Sequence, residues 1–244
     1  MEPVLLVHGG AGDIRDSRVP DKIKGVKLAA KAGYKILKNG GTALDAVEAA
    51  VRIMEDDESM NAGRGSVLNL DGEVEMDASI MEGSTLSEIG GKDVENPGEV
   101  GTVGAVAIDS KGHLAAATST GGINGKMVGR SSDTSLIGSG TYADDEIGAV
   151  SITGHGDSII KFYLAHAILK DIEKGSEAQE ATRSILEKMT EQLKNTVGAI
   201  TISKTGEVGI GFTSKRMGWA YQKADTIFFG IEHDEVRSEK VVDE

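Results

Sequence analysis

The chain of 244 residues predicts an α+β fold, with an antiparallel core layered by helices and no doubly wound parallel sheet. Three observations lead there. Strand-like runs come in pairs across tight turns at Asp71-Gly72, Ser110-Lys111-Gly112 and Lys204-Thr205-Gly206, and hairpins of that kind build antiparallel sheets. Helical periodicity arrives as two separate pairs, one near each end of the chain. Glycine is used 33 times and proline 3 times; that is about twice the usual glycine share, which suits tight turns and close backbone approach.

The elements follow in order. Val4-Leu5-Leu6-Val7 is a short apolar run closed by His8-Gly9-Gly10-Ala11-Gly12, so it reads as a buried strand ending in a glycine-rich loop. From Asp21 to Leu37 the residues Ile23, Val26, Ala30, Tyr34 and Leu37 recur at helical spacing, and Asn39-Gly40-Gly41 supplies the stop. Thr42, with Asp45 three residues on, caps a second helix whose apolar face is Leu44, Val47, Val51 and Met54. Glu55-Asp56-Asp57-Glu58 reads as its solvated end. After Asn61-Ala62-Gly63-Arg64-Gly65, two strand-like runs flank Asp71-Gly72. Residues 82–101 lose all periodicity, and Gly90-Gly91 and Asn96-Pro97-Gly98 mark them as a loop, the one internal boundary.

Thr102 then heads an apolar run to Asp109, paired with Leu114–Thr118. Asp157–Glu173 shows Ile160, Tyr163, Leu164, Ala167 and Ile168 on one helical face. The next helix is expected from an N-cap at Ser176, with Gln179 completing a capping box, to about Lys194. Its buried face is Ala178, Ala181, Ile185 and Met189. A last hairpin, Gly198–Ser203 with Val208–Phe212, precedes a final strand at Thr226–Gly230.

Composition excludes several functions. The 26 basic and 39 acidic residues give a net charge of −13, which argues against nucleic acid and against an anionic membrane surface. No apolar run is long enough to span a bilayer and no signal segment is seen, so a cytoplasmic location is expected. Absence of cysteine removes disulfides, thiolate zinc sites and thiol nucleophiles. His8-Gly9-Gly10 after a strand is like the oxyanion loop of lipases, but no Gly-x-Ser-x-Gly elbow accompanies it. Gly125-Lys126 fails as a phosphate loop, since Thr120 and Met127 stand where glycine and a hydroxyl residue are needed. The five histidines are scattered without metal spacing; His166 lies mid-helix as a core or rim residue.

The surviving signals are polar residues set in glycine. Thr102 alone reads as the start of a strand. If the Gly101–Thr102 bond were cut, its new α-amine, with an ordinary pKa of roughly 7.7–8, would serve as a general base for its own Oγ. Thr118-Ser119-Thr120-Gly121-Gly122 ends a strand in hydroxyls, and Arg130 and Asp133 place opposite charges three residues apart. Thr153-Gly154-His155-Gly156 opens a helix, where backbone N–H groups favour negative charge. Singly, Arg130 and Asp133 are a surface ion pair and Thr153 an N-cap. Together they suit amide hydrolysis of an amino-acid side chain. An Arg can clamp an α-carboxylate and an Asp an α-ammonium, and a hydroxyl with an N–H can hold an oxyanion.

These segments also resemble the plant-type asparaginases, or isoaspartyl peptidases, among the N-terminal-nucleophile hydrolases. His8–Gly12, Asn61–Ser66, Gly72–Ser79, Gly101–Val106, Ala117–Gly122, Met127–Arg130 with Asp133, Gly140–Asp144 and Thr153–Gly156 run in family order over nearly the whole chain. The resemblance implies a four-layer αββα sandwich, a single domain over residues 1–244, and self-cleavage between Gly101 and Thr102 into chains 1–101 and 102–244. It makes Thr102 the nucleophile and Thr120 its hydroxyl partner, and it makes Thr153 with the Gly154 N–H the oxyanion hole. Arg130, Asp133, Gly154 and Gly156 would hold the substrate, with Asn61 opposite the nucleophile.

The implied substrates are L-asparagine and β-aspartyl dipeptides, without a catalytic cofactor. A structural sodium ion would sit on backbone carbonyls of the Glu55, Asp56, Met60, Asn61, Ala62 and Gly63 loop, and the assembly would be a homodimer of αβ units. Family members usually carry some tens of residues more ahead of the nucleophile. The shorter tether keeps open an uncleaved scaffold or amino-acid-binding relative. A third reading gives the hydrolase glycosylated asparagine or a protein as substrate, chosen by the loop at Gly121–Lys126.

Overall fold

The computed structural model describes residues 1–86, 88–93 (backbone only) and 101–241. Asn96-Pro97-Gly98 lies outside them. The chain forms β1 (Val4–Gly12), α1 (Val19–Lys38), α2 (Ala43–Glu55), β2 (Met76–Glu82), β3 (Glu88–Asp93), β4 (Val103–Ile108), β5 (Leu114–Thr120), β6 (Thr141–Asp144) and β7 (Gly148–Gly154). There follow α3 (Gly156–Phe162), α4 (Leu164–Glu173), α5 (Ala178–Leu193), β8 (Val197–Ser203), β9 (Val208–Phe212), β10 (Arg216–Lys223), β11 (Thr226–Gly230) and β12 (Arg237–Lys240). An eight-stranded sheet runs β12-β11-β10-β1-β4-β5-β2-β3, and a four-stranded sheet runs β6-β7-β8-β9. All of their strand pairs are antiparallel. The mixed α+β class expected from the hairpins is the one observed.

Strand parity sorts the core. On β4 the residues Val103, Ala105 and Ala107 join Leu5, Val7 and the apolar faces of α1 and α2. Their alternates Val106 and Ile108 join Leu6 and, from the smaller sheet, Ala149, Ile200 and Ile202. On the other side of that sheet, Val150, Ile152 and Ala199 pack against Leu164, Ile168, Ala181 and Leu186 from α4 and α5. A period of two along β4 therefore aims Thr102 and Gly104 into the space between the sheets. Room there is scarce: a Cβ on Gly104 would come within 1.9 Å of Ser151 Oγ.

The structure departs from the sequence reading in six places. The aperiodic stretch at 82–101 contains β3, an edge strand paired with β2 that includes Gly90 and Gly91. The helix expected over Asp157–Glu173 breaks at Tyr163, whose φ is 54°. The N–H groups of Ala165 and His166 bond the carbonyls of Ser139 and Gly138, and those outside acceptors replace the intrahelical partners that continuity needs. Gln179 does not complete a capping box. Its amide donates to Ile210 O at 2.7 Å and accepts from Ile210 N at 3.0 Å, which pairs exposed backbone groups of the edge strand β9. Strands β10 and β12 went unread, and β1 runs on through the glycine-rich segment, with a register shift between His8 and Ala11.

Candidate active site

The open ends of β4, β5 and β7 surround a cavity of about 410 Å³, a size suited to a small ligand. Thr102, Thr120, Thr153, Gly154, Gly156, Arg130, Asp133 and Asn61 all line it, beside Gly101. Eight residues chosen from separate stretches of sequence thus meet at one site.

Thr102 is buried, and its Oγ1 donates to Thr120 Oγ1 at 3.0 Å. Thr120 Oγ1 also accepts from Gly122 N at 2.9 Å, so its hydroxyl is held on two sides. Asn61 fixes the same turn. Its amide donates to Gly122 O at 2.9 Å and accepts from Val67 N at 3.0 Å. Gly101 lies against Gly10, both at positive φ (118° and 99°). A Cβ on Gly10 would come within 2.7 Å of Gly101 Cα, so only glycine allows this approach. Lys22, buried under the turn, donates to Gly9 O at 2.8 Å; burial lowers its pKa to about 8.

Beneath Thr102 a chain of buried polar groups crosses the space between the sheets. His8 Nε2 lies 2.9 Å from Ser151 Oγ. Ser151 Oγ lies 2.7 Å from Thr118 Oγ1, and Thr141 Oγ1 donates to Thr118 Oγ1 at 2.6 Å. Ser79 Oγ is 2.9 Å from Thr141 Oγ1. Burial pushes the His8 pKa down to about 3, so the ring is neutral.

Across the cavity, Thr153 is the last residue but one of β7 and is buried, with its Oγ1 accepting from Ala11 N at 3.3 Å. It is not a helix cap, because α3 begins at Gly156 after His155. Arg130 and Asp133 are not a surface pair either. Arg130 donates to Asp157 Oδ1 at 3.0 Å. Asp133 is 3% exposed, and its Oδ2 has no hydrogen-bond partner. Burial raises its pKa to about 7; Arg130 opposes the shift, and Asp77 and Asp157 add to it. A buried carboxyl oxygen without a donor, next to a guanidinium, suits a ligand that brings its own ammonium and carboxylate.

Sequence reasoning missed Asn195 and Thr196 on the cavity wall. The only available signal was their place between a helix stop and a strand. Lys194 is left-handed at φ 57°, and Thr196 O accepts from His155 N. In the loop expected to hold sodium, Cβ atoms built on Gly63 and Gly65 would fall within 3 Å of the carbonyl oxygens of Glu55, Glu58 and Met60. Backbone carbonyl oxygens are the ligand type a hard cation takes. Among the described residues no group of three or more His, Asp or Glu side chains could hold a metal ion, and no helix is long and apolar enough to cross a membrane.

A family model described as asparaginase matches residues 1–97 and 91–231. The isoaspartyl peptidase/L-asparaginase of Homo sapiens is 40% identical over 301 positions, covering 96% of this chain and 98% of that protein. The Bos taurus protein of the same name is 41% identical over 298 positions, covering 95% and 97%. The probable isoaspartyl peptidase/L-asparaginase of Drosophila pseudoobscura pseudoobscura is 40% identical over 321 positions, covering 97% and 98%. Each alignment is longer than the 244 residues of this chain, so the relatives carry residues opposite gaps in it. The family match divides at 91–97, just ahead of Thr102.

Proposed function

The chain belongs to the asparaginase family, and from that premise we propose that it hydrolyses the side-chain amide of L-asparagine and the isopeptide bond of β-aspartyl dipeptides, with Thr102 as nucleophile. One observation carries the reading. The Thr102–Thr120 hydroxyl pair shares a cavity with the unpartnered carboxyl oxygen of Asp133 and with Arg130.

Maturation begins when Thr102 Oγ attacks the Gly101 carbonyl carbon and the peptide shifts to an ester. The shift passes the Oγ proton to the departing nitrogen and frees the Thr102 amine, and water then hydrolyses the ester to the Gly101 carboxylate and the Thr102 hydroxyl. In turnover, Asp133 takes the substrate ammonium and Arg130 its α-carboxylate. The Thr102 amine accepts the Oγ proton as Oγ attacks the side-chain carbonyl carbon. The hydroxyl of Thr153 and the N–H of Gly154 stabilise the tetrahedral oxyanion, and Thr120 orients Oγ. The ammonium returns the proton to the leaving nitrogen, which departs as ammonia or as the amine of the second residue. Water then attacks the β-aspartyl ester with the amine again as base, and aspartate leaves.

The remaining parts of the reading have separate supports. A four-layer αββα sandwich is supported by helix pairs lying outside each sheet, and one domain over residues 1–244 by the continuous layer between the sheets. A structural sodium ion is supported by the carbonyls around Gly63 and Gly65. A homodimer of αβ units in the cytoplasm is proposed on the family resemblance alone. A second reading, an uncleaved amino-acid-binding relative, draws on the gap ahead of Thr102.

The test pairs an ammonia assay on asparagine with aspartate release from β-aspartyl-leucine. Loss of both activities in Thr102→Ala supports the hydrolase, and residual turnover by that variant removes it.

A further inference from the structure

Arg130 sits in a segment without regular structure after β5, and Asp133 opens the short 3-10 turn that follows. Recognition of an amino acid needs their side chains held to a fraction of an ångström, so something must fix that backbone. Three alternate residues leading into and along β2 touch it. Both carboxylate oxygens of Glu75 accept from Gly129 N, at 2.9 and 3.0 Å. Asp77 Oδ2 accepts from Ser132 N at 2.6 Å. Ser79 Oγ donates to Thr134 O at 2.7 Å. All three side chains are buried, with exposures of 5–6%.

The anchored backbone groups bracket the two recognition residues. Gly129 precedes Arg130, and Ser132 and Thr134 flank Asp133. Gly140 closes the other side, with its N–H on Asp133 O at 3.1 Å. Buried carboxylates accepting from backbone N–H groups form strong, directional bonds. A rigid strand is a better support than the loop itself.

We propose that Glu75, Asp77 and Ser79 are positioning residues, a ladder leading into and along β2 that sets the affinity for the substrate's α-amino acid end by holding the loop of residues 129–134. This rests on the hydrolase reading above and adds to it a role for residues that touch no substrate.

The experiment compares Asp77→Ala, Asp77→Asn and Ser79→Ala with wild type at pH 8. It reads kcat per cleaved chain, KM for β-aspartyl-leucine, and the Kd of L-aspartate by calorimetry. Loss of one charge-assisted bond predicts that Asp77→Ala raises KM and the aspartate Kd by about 10- to 100-fold, with kcat within about threefold. Asp77→Asn, which keeps an acceptor oxygen, should recover part of that loss. It should also move the acid limb of aspartate binding to lower pH. The charged groups acting on Asp133 are Arg130, Asp77 and Asp157, and the substitution removes a like charge.

Unchanged KM and Kd in folded Asp77→Ala, or a fall confined to kcat, overturns the ladder. If that variant does not fold, Asp77→Asn and Ser79→Ala decide on the same readouts. Wild type that binds aspartate but turns over no substrate overturns the hydrolase reading alone, and the Kd ratios still judge the ladder. Wild type that binds no aspartate overturns both.

Discussion

With Asp133 taking the ligand's ammonium as proposed, one buried carboxyl sets the pH dependence of ligand binding. Asp133 has its pKa raised to about 7, chiefly by burial, and only its ionised form offers an ammonium an opposite charge. The sign is that of a raised acid: below its pKa the site is neutral and must lose a proton before binding. At pH 8 about nine-tenths of free sites are charged and at pH 6 about one-tenth, so the Kd of L-aspartate should rise about tenfold between them. Each further unit down costs about another factor of ten. The bound ammonium holds the carboxylate charged, so the complex shows no such titration. Calorimetry from pH 5.5 to 8.5 measures this directly. A Thr102 amine freed as proposed would titrate in the same range, and Asp133→Asn separates the two. That variant should bind about 10- to 100-fold more weakly at pH 8, with the limb near pH 7 gone. Wild type and Asp133→Asn with the same pH dependence would refute the assignment of the ammonium to Asp133.

Thr120→Val removes the hydroxyl that accepts from Thr102 Oγ1, and kcat should fall by about 100-fold or more with KM little changed; steady-state kinetics on matured protein checks this. Gly10→Ala drives a Cβ to within 2.7 Å of Gly101 Cα at a φ of 99°. It should lower Tm or stop maturation, and thermal melts with intact mass distinguish these. His8 is held neutral in the fold, with its pKa lowered to about 3, whereas the unfolded chain protonates it near its ordinary value. Stability from His8 is therefore full above about pH 6.5 and is lost as pH falls, by up to about 1.4 kcal/mol per unit. Asp133 acts oppositely between its unfolded and folded pKa values, so the His8 effect is read in Asp133→Asn as urea midpoints falling below pH 6.5.

Much of the architecture was legible because β4 is a continuous apolar run and α2 carries one clear helical period. Ala43–Glu55 forms as its apolar spacing requires, with Thr42 Oγ1 accepting from Asp45 N at 3.1 Å. The segment from Val103 forms the strand that Thr102 heads. Elements whose stability comes from neighbours were not legible. Arg216–Lys223 forms β10 because β1 and β11 pair on either side of it, and Arg237–Lys240 has no apolar alternation to announce β12. Tyr163 breaks a helix for acceptors that lie elsewhere in the sequence. The residues that line the cavity were legible as polar groups among glycines, whereas the environment of Asp133 was not. Local spacing beside Arg130 suggested an ion pair, and only tertiary burial turns it into an unpartnered receptor. Glu75 and Asp77 carried no signal of their role, since an acidic residue near a hairpin ordinarily faces water.

The intact mass of purified protein under denaturing conditions, measured beside ammonia release from L-asparagine, tests the N-terminal-threonine mechanism most directly. Two species are predicted, ending at Gly101 and beginning at Thr102, with activity rising in proportion to the cleaved fraction. A single unbroken chain of 244 residues that still releases ammonia would contradict it.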